Sequence, residues 1–109
     1  NYLAAFLKQI HDENEGVCIA LQVDNKNRFY RLFFAPPDVS QIFYHCCFPM
    51  LFLDFAFPKD LDVYQGVTCV LSAKALDGNN LPLSIGWVPR EICEEAGWFI
   101  QMIALTLKI

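Results

Sequence analysis

The stretch that most constrains this chain is residues 42–58, which is almost wholly apolar and is broken only by His45, Pro49 and Asp54. A helix that crosses a bilayer needs about 20 predominantly apolar residues in a row. These interruptions exclude a span, so the apolar side chains must be covered by protein. Within the stretch, Met50-Leu51-Phe52-Leu53-Asp54-Phe55 is a continuous apolar run with one carboxylate near its end. Strands buried on both faces read this way. The run therefore predicts a central strand over residues 50–55. The whole chain leans in the same direction: 55% of its residues are hydrophobic, ten of them Phe, and 18% are charged. Ordinary soluble domains are about 45–50% apolar and about 25% charged. Disorder is excluded, and the excess of apolar residues implies surfaces that something else covers.

The remaining elements follow from periodicity. Leu3, Phe6, Leu7 and Ile10 recur at spacings of three and four, which predicts a helix over residues 2–13. Asn14-Glu15-Gly16 ends it, with the glycine as cap. Val17, Ile19, Leu21 and Val23 alternate as a strand does. Asp24-Asn25-Lys26-Asn27 has turn chemistry, and residues 28–34 form the return strand of a hairpin. After Pro36-Pro37, Asp38 or Ser40 is placed to cap a short helix running to about His45. A loop, Pro58-Lys59-Asp60-Leu61-Asp62, follows the apolar strand. Residues 64–76 and 81–87 are strands joined at Asp77-Gly78-Asn79-Asn80, a hairpin turn of the Asp-Gly kind. Pro82 marks a strand start or a bulge. Pro89-Arg90-Glu91 opens a last helix whose apolar stripe is Ile92, Ala96, Phe99, Ile100, Ile103 and Leu107. The order predicts an α+β fold in which a helix and a β-hairpin precede three antiparallel strands and a helix. That second part is the opening of a ribonuclease H-like fold. At 109 residues the chain is one domain in size. It divides by sequence into a helix-hairpin-helix segment, 1–46, and a partial ribonuclease H-like unit, 47–109.

Several function classes lack their residues. The net charge of −4 lacks the basic footprint of a self-sufficient DNA-binding module. The five cysteines, Cys18, Cys46, Cys47, Cys69 and Cys93, include no Cys-x-x-Cys pair and read as reduced, packed thiols of an intracellular protein. His11 and His45 have no nucleophile motif beside them, and Ser40, Ser72 and Ser84 have no elbow sequence. No glycine-rich phosphate loop occurs. Trp87 and Trp98 lack the interleaved basic residues of a base-stacking platform and read as core. The first residues carry no basic leader before an apolar core, so no signal peptide is expected, and the chain reads as cut from something longer.

Asp54 is the chemically suggestive residue. A carboxylate buried in an apolar strand is costly unless it is paired, and a divalent cation would resolve the cost. Two such ions can stabilise the attacking and leaving oxygens of a phosphoryl transfer. Around it the chain resembles the Mutator-like (MULE) transposase family over residues 2–99. Arg28-Phe29-Tyr30-Arg31-Leu32-Phe33-Phe34-Ala35 is similar to the stretch that precedes the family's catalytic core. Pro49 and the run to Asp54 resemble its first catalytic strand, which ends in the first Asp of the DDE triad. Lys59, Tyr64 and Gly66 resemble the loop that follows, and Asp77-Gly78-Asn79-Asn80 with Leu81, Pro82 and Leu83 its hairpin. Glu91, then Trp98-Phe99, resembles the Glu that the family follows seven and eight residues on with Trp-Phe.

The resemblance implies a fragment, or a domesticated relative, of a DNA transposase that is inactive alone. In an intact parent, Mg2+ or Mn2+ would support cleavage and transfer of DNA strands at transposon ends, in the nucleus. Asp54 carries over as the first metal ligand and catalytic position. Asp77 is a turn residue, and the second Asp and the final Glu are expected on elements beyond Ile109. The chain also departs from the family. Phe55-Ala56-Phe57 follows Asp54 where Gly-Thr or a similar pair is usual, and Ala96 replaces the first Trp of the helix motif. Such losses suit a copy repurposed as a non-catalytic interaction module, the alternative reading. The partners implied are the absent C-terminal half of the domain or a homo-oligomer mate, and no membrane.

Overall fold

A computed structural model describes residues 2–56, 66–90 and 92–108. Its elements are α1 (Tyr2–Glu13), β1 (Cys18–Val23), β2 (Phe29–Ala35), α2 (Val39–Cys46), β3 (Cys47–Ala56), β4 (Val67–Ala75), β5 (Asn80–Val88) and α3 (Cys93–Leu107). The fold is mixed α+β, with five strands in one antiparallel sheet ordered β1-β2-β5-β4-β3. The pairing of β2 with β5, Leu32 opposite Trp87 and Phe34 opposite Ile85, joins the two segments. A single sheet therefore runs across the boundary drawn at residue 46.

Local chemistry explains the joints. Gly16 ends α1 with a left-handed φ of 88°. In the β1–β2 turn, Asp24 Oδ1 accepts the backbone N–H of Lys26 and of Arg28, each at 2.9 Å. The Arg28 guanidinium donates to Asp24 Oδ2 at 3.0 Å. The β4–β5 hairpin is not the two-residue form that Asp-Gly favours. Gly78 N–H donates to Ala75 O, Ala75 N–H donates to Asn79 O, and Gly78 sits at φ 94°. This is a three-residue loop with glycine at the left-handed position, and Asp77 Oδ1 steadies it by accepting from Asn79 N–H at 3.0 Å. The register of β4 and β5 slips between Leu71 and Ser72, so Leu83 is the extra residue of a bulge beside Pro82. Pro82 lies beyond the paired span of β2, where its missing N–H breaks no rung.

The core lies between one face of the sheet and helices α2 and α3. Phe33 and Ala35 of β2, Val67, Cys69, Leu71 and Ala73 of β4, and Phe99, Ile103 and Leu107 of α3 are buried together. Phe33 meets Phe99 edge-on at 5.4 Å. Gly86 of β5 lets that ring approach the backbone: a Cβ there would stand 2.5 Å from Phe99 Cε1 and 2.9 Å from Leu32 O. Leu7 of α1, Val17 just before β1 and Leu32 of β2 are also buried, and α1 packs against β1.

Three expectations change. The first is that neither Asp38 nor Ser40 caps α2. Asp38 is left-handed at φ 62° with no capping bond, and Ser40 Oγ donates instead to Leu107 O at 3.4 Å, tying α2 to the end of α3. The second concerns α3, which begins at Cys93, after Pro89-Arg90, and which buries Phe99, Ile103 and Leu107 as expected but not the rest of the stripe. Ile92 and Ile100 are exposed, while Glu95 and Trp98 are buried. Glu91 lies outside the described residues. The third is that among the described strands β3 stands at the edge of the sheet rather than at its centre. An apolar run looks the same in sequence whether or not the protein covers both of its faces, and here Phe48, Met50 and Phe52 are left exposed.

Candidate functional site

Asp54 stands near the end of β3, opposite Val70 of β4. Leu51, Leu53 and Phe55 turn toward the helices and pack against the core, whereas Phe52, Asp54 and Ala56 face the other way and are exposed. The burial cost invoked for Asp54 is therefore not incurred, because water solvates the carboxylate. On the same face β4 places Ser72 opposite Phe52 and Thr68 opposite Ala56. These supply hydroxyls and no second carboxylate. Among the described residues, no group of three or more His, Cys, Asp and Glu side chains gathers to hold a metal. A magnesium ion held by protein wants one or two carboxylates and substrate oxygens, and a two-metal centre wants more. The described residues around Asp54 do not make such a centre. Lys59, Asp60, Asp62 and Tyr64 lie outside the described residues. Gly66, which opens the approach to β4, is buried.

The strongest polar constellation lies elsewhere, where α3 crosses β2. Glu95 is 1% exposed. It accepts from Tyr30 Oη at 2.9 Å through Oε1 and from Arg31 Nη1 at 3.1 Å through Oε2. Arg31 Nε donates to Gln22 Oε1 of β1 at 2.6 Å, and the guanidinium lies 4.4 Å from the centre of the Trp98 ring. Glu95 also sits in the first turn of α3, where the helix dipole favours an anion. The hydrogen bond from Tyr30 to the carboxylate, with burial, raises the Tyr30 pKa above its ordinary value of 10.0. Each carboxylate oxygen accepts one of these bonds, so this group ties α3 to β2 and, through Arg31 and Gln22, to β1. The sequence held one signal of it. Arg31 shares strand parity with Phe33 and Ala35, so it had to point inward and needed an acceptor.

The cysteines divide. Cys47 and Cys69 are buried, as packed thiols should be, but Cys18, Cys46 and Cys93 are exposed, and none of the five is in a disulfide. Burial raises the Cys47 thiol pKa, which keeps it protonated and unreactive. His11 and His45 are both exposed. Trp98 is core, and Trp87 is half-buried on the face away from α3. Among the described residues no helix is long and apolar enough to cross a membrane. Comparison with family models, with curated proteins and with solved structures gives no match to this chain.

What the site does offer is a surface. Only β4 pairs with β3 among the described strands, and no described strand lies on the other side of β3. Beside that edge, on the helix side, Leu51, Leu53, Leu71, Ile100, Ile103 and Ala104 line an apolar groove of about 290 Å³.

Proposed function

We propose that this chain is a non-catalytic interaction module, a domesticated relative of the front part of a Mutator-like transposase domain. Its working surface is the open edge of β3. The observation that carries the reading is the contrast within β3 itself, where, among the described residues, a long apolar strand has no partner on one side and its single carboxylate is exposed with no second carboxylate gathered beside it. Such an edge is a template for another strand, and added strands gain affinity from main-chain hydrogen bonds and specificity from alternate side chains. The order β3-β4-β5-α3, three antiparallel strands and then a helix, supports relation to a ribonuclease H-like domain. In such a domain a further strand would lie beside β3. Mg2+ or Mn2+, DNA ends and a nuclear setting belong to the intact parent on this proposal.

The second reading is a surviving half-site, favoured by the position of Asp54 beside an edge where carboxylates from elsewhere would arrive. Calorimetric titration of Mg2+ and Mn2+ into the chain and into Asp54→Ala separates the two. The module reading expects no saturable uptake by either protein. Saturable binding that Asp54→Ala abolishes would return the enzyme half-site to first place.

A further inference from the structure

We draw no further inference here: the strongest candidate, the apolar pocket that Phe34, Val70, Pro82 and Ile85 line on the sheet face away from α3, carries nothing, because the unpartnered hydroxyl of buried Ser84 beside it stands in register with Leu71 on the core face and nothing in the structure shows what covers the pocket.

Discussion

At one edge of the sheet β1 is six residues long, α1 packs against it, and its Gln22 is held by Arg31 of the neighbouring strand. At the other edge β3 is ten residues long, packs beside β4 and α2, lines a groove with α3, and pairs on its outer side with no described strand. The first edge is short, slips register between Gln22 and Val23, and runs into the Asp24–Arg28 ion pair. These are the usual protections of a strand edge. The second carries Pro49 and a register slip near its start and is then regular and apolar. Among the described residues the protections are therefore concentrated at the β1 edge and sparse at the β3 edge.

The clamp at Glu95 gives the largest expected effect and bears on the closed side. Glu95→Ala leaves Arg31 and Tyr30 without their acceptor beneath α3, and losing one member of a buried pair costs about 3–5 kcal/mol. Urea denaturation would read this, and a loss under about 1 kcal/mol would show that the β1–β2 end is not held by the clamp. A matched pair of substitutions compares the edges directly. Ala20 of β1 packs against the core, so Ala20→Lys is expected to cost about 1–3 kcal/mol. Phe52→Lys, on an exposed position of β3, is expected to stay within about 0.5 kcal/mol. Equal costs would erase the distinction between the edges. Between them in location, Gly86→Ala pushes a methyl into the Phe99 ring, and a melting curve should register about 1–3 kcal/mol of destabilisation.

The smallest effect is a pH dependence. Tyr30 has its pKa raised by the hydrogen bond to Glu95 and by burial. A raised folded-state pKa means that the unfolded chain loses the phenol proton first. The stabilisation is complete below pH 10 and is lost as pH rises through the folded value. Stability measured from neutral pH upward should fall above about pH 10, and Tyr30→Phe should flatten that fall. An unchanged slope in the variant would remove Tyr30 from the clamp.

Much of this architecture was legible in the chain. The spacing of Leu3, Phe6, Leu7 and Ile10 located α1, and alternation located β4 and β5, because local periodicity is a direct record of which face is covered. The phase of α3 was legible only in part: Phe99, Ile103 and Leu107 are core as their spacing required. Ile92 and Ile100 look like core, and Glu95 looks like surface, until Arg31 and Tyr30, more than sixty residues away, supply its partners. Asp54 could be found as the lone carboxylate of an apolar strand. Its exposure could not, because exposure depends on what lies beside β3, and periodicity within one strand says nothing about its neighbours.

The most direct test of the account is residue-resolved amide exchange along β3. An open β3 edge predicts that the outward-facing amides of residues 50–54 exchange freely in the dilute chain, faster than the amides that β3 and β4 share. Protection of the outward β3 amides in the dilute chain would contradict it.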